Sequence, residues 1–196
     1  MNFELFRSIL AGGVKPQASQ AMSLSISQLH PVFMGEVGPI SLRDTVDEVT
    51  LSEIRGGLDE YAVLVYRDQQ FSDEEQMAFA KRLDGELHAK PGSAALVASR
   101  LGTEAIADIS NVAPEGELMS GEDRRRLYGL GNRLWHTDAS FQDPVGRYSM
   151  LHARVLPPSG ADTLFADMRA AYDALDDQMK AKLEGLQCHH SIAHSR

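Results

Sequence analysis

The chain has 196 residues, 43% hydrophobic and 24% charged, which is the composition of one globular domain and excludes a disordered or fibrous protein. Lys and Arg number 19 against 28 Asp and Glu, so the formal net charge is −9; this excludes a general nucleic-acid binder, which needs a basic face, but leaves small anions open to a local positive pocket. A single cysteine, Cys188, excludes an internal disulfide framework and a Cys-rich metal site and fits a reducing compartment, so the cytoplasm is expected.

No apolar run approaches the roughly 20 residues that span a bilayer, so no membrane association is expected. Arg7 and the short patch Ile9-Leu10-Ala11 lack the charged and apolar regions of a signal peptide. Residues 1–21 read as a weakly patterned lead. Met22, an alternative start to Met1, then opens the alternating stretch 23–27, a strand. Thr50 with Glu53 and Ser72 with Glu75 fit the capping box, which predicts helices near 51–60 and 73–84. Between them Tyr61-Ala62-Val63-Leu64-Val65-Tyr66, β-branched and aromatic, predicts a buried strand.

Residues 105–112 and 148–156 read as further strands, separated by a loop-rich stretch in which Arg124-Arg125-Arg126 forms a solvated loop. Pro157-Pro158-Ser159-Gly160 predicts a turn and 163–166 a short strand. Asp167 is placed to cap a helix in which Met168, Ala171, Tyr172 and Leu175 share a face; Met179, Leu183 and Leu186 mark another amphipathic segment. Strands bracketed by helices without regular β-α-β alternation give an α+β class. No repeat or linker divides the chain.

The segment Gly131-Asn132-Arg133-Leu134-Trp135-His136-Thr137-Asp138 carries the chemistry. In extended backbone, residues i and i+2 project to one side, so His136 and Asp138 are placed to reach one metal ion. Taken alone, His-x-Asp is a weak signal, and a capped turn or surface ion pair is the plain alternative.

That segment, with Val63-Leu64-Val65-Tyr66-Arg67-Asp68-Gln69, Ser72-Asp73-Glu74-Glu75-Gln76, Trp135-His136-Thr137-Asp138-Ala139-Ser140-Phe141 and Ser159-Gly160-Ala161-Asp162-Thr163-Leu164-Phe165-Ala166-Asp167-Met168, resembles the taurine/2,4-dichlorophenoxyacetate dioxygenase family of iron(II)- and 2-oxoglutarate-dependent enzymes. The resemblance continues through Ala170-Ala171-Tyr172-Asp173-Ala174-Leu175 and covers most of the chain from about Leu24 onward. It implies a double-stranded β-helix, the jelly roll, with flanking helices, residues 22–196 being its N-terminal part. It implies that His136 and Asp138 are two of three protein ligands of iron(II), with 2-oxoglutarate and dioxygen as cosubstrates. Thr163 then falls where a threonine helps to hold the 2-oxoglutarate carboxylate, although a β-branched strand residue is the local alternative. Asn132 matches a substrate-contacting asparagine. In His88-Ala89-Lys90-Pro91 a lysine stands where taurine-type members have a second histidine that touches the substrate's anionic head, so Lys90 is a candidate for binding a carboxylate or sulfonate, with a solvated lysine as the alternative. Trp135 and Phe141 read as packing residues, and Asp162 as part of a turn.

The implied activity is hydroxylation of a small organic acid, an aryloxyalkanoate of the 2,4-dichlorophenoxyacetate type or a sulfonate such as taurine. Ser140-Phe141-Gln142 and Asp167-Met168-Arg169 lean toward the aryloxyalkanoate group. The family is compatible with a homo-oligomer. Its distal histidine ligand and its 2-oxoglutarate-binding arginine find no match here, so a fragment or truncated product lacking the C-terminal third is expected. His152 and Arg154 lie too near His136 to replace them. Two alternatives stand beside this reading. One is an inactive remnant of the family. The other is a non-enzymatic zinc-binding or interaction module using His189, His190 and His194, in which His190 and His194 share a face if helical.

Overall fold

The computed structural model describes residues 24–44, 47–87, 105–138 and 142–187. The expectations for residues 1–23, for Lys90 and its neighbours, for Ser140 and Phe141, for Cys188 and for the three terminal histidines lie outside the described residues. Three short strands form a sheet in the order β1-β2-β3: β1 (Ile26–Gln28), β2 (Gly35–Val37) and β3 (Leu64–Val65). β1 runs antiparallel to β2, with Ile26 opposite Val37, and β2 runs parallel to β3, with Gly35 opposite Leu64. A parallel pair needs a crossover. Helix α1 (Glu48–Tyr61) supplies it.

α1 starts three residues earlier than the sequence predicts. Its cap is Asp47, whose carboxylate accepts the Thr50 amide at 2.8 Å, and not Thr50. Glu53 takes no part in a capping box because its carboxylate accepts the Leu24 amide at 2.8 Å, tying the lead into β1 to the helix. α1 also runs through Tyr61 and stops at Ala62, held in the left-handed region at φ 61°, so the strand expected over 61–66 shrinks to two residues. Leu51, Ile54 and Gly57 form its buried stripe. A Cβ on Gly57 would stand 2.6 Å from Ile26 Cδ1 and 3.1 Å from Leu64 Cδ1, so glycine lets the helix lie directly on the sheet.

α2 (Asp73–Asp84) begins with the capping box that the sequence predicts: Glu75 N donates to Ser72 Oγ, and Ser72 N donates to the Glu75 carboxylate. Phe79 and Leu83 join Leu42, Leu51 and Ile54 in the core, against which Leu64, Tyr66, Phe71, Tyr148 and Met150 pack in part. The Gln69 side chain holds the Ile40–Leu42 turn from both sides, accepting from Leu42 N and donating to Ile40 O.

From residue 105 onward the expected strands do not form as ladders. Residues 105–112 contribute a single antiparallel bridge, Val112 to Leu118, and 148–156 and 163–166 pair with no strand among the described residues. The alternation of 148–152 nevertheless survives: Tyr148, Met150 and His152 are partly buried, whereas Ser149 and Leu151 are exposed. Arg124-Arg125-Arg126 is not a loop but opens the short helix α3 (Arg124–Gly129). Asp123 organises its start, accepting the Arg125 amide at 2.8 Å and pairing with the Arg125 guanidinium at 2.7 Å. Asp167 caps α4 (Met168–Asp173) as predicted, and Asp176 caps α5 (Asp177–Leu183). The shared apolar face of α4 is not buried, since Met168 is 66% exposed.

Side chains of the later segments anchor them to the first body. Arg154 pairs with Asp73 at 2.5 Å, His152 Nε2 lies 3.1 Å from Gln69 O, and its ring meets Phe71 edge-on. Arg169 donates to the carbonyls of Asp59 and Glu60 at the end of α1. No helix among the described residues is long and apolar enough to cross a membrane.

Candidate metal centre

A 3-10 turn, Leu130–Arg133, follows α3 directly, and Leu134 leaves it in extended conformation at φ −88° and ψ 147°. Extended backbone is what the His-x-Asp pattern requires to turn both side chains to one side. They do converge: His136 Nε2 lies 3.3 Å from Asp138 Oδ1. The outward atoms of both groups are engaged elsewhere. His136 Nδ1 is 2.8 Å from the Leu134 carbonyl, which only accepts, so Nδ1 carries a hydrogen; in the neutral imidazole Nε2 then presents its lone pair. Asp138 Oδ2 accepts the Ser149 hydroxyl at 3.0 Å, leaving Oδ1 toward the imidazole.

With the imidazole neutral, two acceptors face one another across 3.3 Å, an arrangement that a cation between them relieves. A proton would make a plain ion pair. A divalent ion would make a chelate: donors bound at about 2.1 Å and at right angles stand about 3.0 Å apart, so a shift of about 0.3 Å suffices. The donor set, one imidazole nitrogen and one carboxylate oxygen, suits ferrous iron. The side chains are 48% and 53% exposed, so the pair is open to solvent. Among the described residues no group of three His, Cys, Asp or Glu side chains assembles.

The other predicted residues are not gathered by contacts around this pair. Asn132 sits exposed in the 3-10 turn. Thr163 lies in an exposed stretch without regular structure after the bend at 158–159, beyond which Gly160 and Ala161 both adopt positive φ. Trp135, expected to pack, is 69% exposed because residues 134–138 run along the surface. His152 and Arg154, expected to lie too near His136 to replace the distal residues, face the first body and line an open groove with Asp68, Gln69 and Phe71 that includes none of the predicted ligands. Ser149 is not among the residues that the sequence singles out. The signal was there in Tyr148-Ser149-Met150, where alternation aims the middle residue away from the core.

Comparison with known proteins gives a consistent picture. The family described as "Taurine catabolism dioxygenase TauD, TfdA family" matches residues 25–196. The alpha-ketoglutarate-dependent 2,4-dichlorophenoxyacetate dioxygenase of Cupriavidus pinatubonensis is 43% identical over 181 residues, covering 89% of this chain and 61% of the relative. The protein of the same description from Burkholderia sp. (strain RASC) is 41% identical over 175 residues, covering 89% and 59%. A crystal structure of AAD-2 in complex with Mn(II) and N-oxalylglycine superposes with a TM-score of 0.75 at 40% identity, covering 89% of this chain and 57% of that one. The chain thus spans about three fifths of the length of these relatives.

Proposed function

Because this chain belongs to the taurine catabolism dioxygenase TauD/TfdA family, matched over residues 25–196, we propose that it is the N-terminal part, residues 22–196, of a jelly-roll dioxygenase that hydroxylates a small organic acid. An aryloxyalkanoate of the 2,4-dichlorophenoxyacetate type is the favoured substrate, in keeping with the names of the two 2,4-dichlorophenoxyacetate dioxygenases that it resembles, and a sulfonate such as taurine is the second choice. The protein works in the cytoplasm.

The observation that carries this reading is the convergence of His136 Nε2 and Asp138 Oδ1 at 3.3 Å, each backed by a hydrogen bond on its far side. These two residues would hold iron(II). When bound with 2-oxoglutarate and dioxygen, that ion would supply oxidation of a C–H bond. The chain's own contribution is to hold and orient. Leu134 O fixes the imidazole tautomer, Asp138 lends negative charge to the ion, and the exposed face of 131–138 leaves room for the acid beside it. Thr163 is assigned to the 2-oxoglutarate carboxylate, Asn132 to contact with the substrate, and Lys90 to the substrate's acid group. No side chain other than the two metal ligands is assigned a catalytic role. A homo-oligomer fits this reading.

Anaerobic titration of the full chain with iron(II) and 2-oxoglutarate tests it. A weak visible charge-transfer band that disappears in His136→Ala and Asp138→Ala is expected. A wild-type spectrum identical to those of both variants overturns the assignment.

A further inference from the structure

Resting on the metal-site reading above, we propose that Ser149 is a positioning residue, one that decides which oxygen of Asp138 the metal ion meets. A carboxylate rotates easily about its last bond and offers two equivalent oxygens. Left free, Asp138 could exchange them or present both at once to an ion. Ser149 Oγ donates to Oδ2 at 3.0 Å, while Oδ1 stands 3.3 Å from His136 Nε2. The hydroxyl therefore removes one oxygen from competition and fixes a single-oxygen presentation next to the imidazole.

Ser149 is itself held. Its neighbours Tyr148 and Met150 pack against the cluster of Leu42, Leu51, Ile54, Phe79 and Leu83, and the period-2 alternation turns Ser149 to the opposite, solvent side. The hydroxyl thus carries the rigidity of the core across to a surface carboxylate eleven residues away in sequence. The Leu134 carbonyl does the same for the imidazole, but it belongs to the loop's own backbone. Among the described residues, Ser149 joins this loop to the packed body through Asp138.

The test is Mn(II) binding to the full chain, read by loss of the free-ion electron paramagnetic resonance signal, a method that tolerates weak affinity and needs no turnover. His136→Ala is expected to abolish binding. Ser149→Ala should weaken it about ten-fold, the lower end of what an outer hydrogen-bond partner of a metal ligand contributes. Ser149→Thr, which keeps the hydroxyl at an exposed position, should restore most of the affinity. All three variants should unfold at the wild-type temperature. Wild-type affinity in Ser149→Ala, or equal weakening in the Ala and Thr variants, overturns the role of Ser149 while leaving the metal site standing. Absence of any His136-dependent Mn(II) binding overturns both.

Discussion

Leu51 is fully buried and Leu156 is 74% exposed, and the contrast between these two leucines separates residues 24–87 from residues 105–187. In the first region, helices α1 and α2 close over a three-stranded sheet and share one core. The second holds comparable apolar material, but Ile109, Leu134, Val155, Leu164 and Met168 all stand more than half exposed. The difference lies in what each pattern needs. A helix completes its hydrogen bonds within itself and needs a surface only for its apolar stripe. A strand completes neither its hydrogen bonds nor its burial without a partner at its side. β1, β2 and β3 find theirs within forty residues of one another, whereas 148–156 and 163–166 have none among the described residues.

That contrast can be broken by substitution. Leu51→Ala removes a side chain enclosed on every side and should cost about 3 kcal/mol, read as a lowered midpoint in urea unfolding. The matched change Leu156→Ala should shift stability by no more than about 0.5 kcal/mol, because the side chain has little burial to lose. Equal effects of the two would mean that the second region is packed in solution. The smallest effect sharpens the comparison within the second region. Hydrogen bonds from the Arg125 side chain and backbone hold the Asp123 carboxyl down to about 2. The unfolded chain therefore takes up this proton first as pH falls, so the contribution of Asp123 is present above about pH 4 and is lost as pH drops through about 2. Acid titrations of α3 in wild type and Asp123→Asn should differ above that window and converge below it; parallel curves throughout would remove the pair from the account.

Local signals were legible where the residues that complete them lie nearby. Ser72 and Glu75 satisfy one another, and Asp167 caps the residues that follow it. Glu53 looks like part of a capping box in the sequence because its true partner, the Leu24 amide, is 29 residues away, and Thr50 mimics the cap that Asp47 provides. Three consecutive arginines hid a helix start that depends on the aspartate just before them. β2 went unseen since Gly35-Glu36-Val37 is too short to show a period. At the site, i to i+2 geometry made the convergence of His136 and Asp138 readable, and motif order supplied the family. The engagement of Asp138 with Ser149 needed the fold, since it depends on which face of 148–152 meets the core.

The Arg169 contact carries a consequence for how the protein is made. α1 has no basic residue in its last turn, and the cation that meets its final carbonyls comes from a side chain 110 positions further along. During translation the Met34 amide, which precedes the helix, is already at hand to hold the Tyr61 carbonyl, but the carbonyls of Asp59 and Glu60 meet their cation only when α4 has left the ribosome. A helix of the first region thus meets the last of its charge complement in the second.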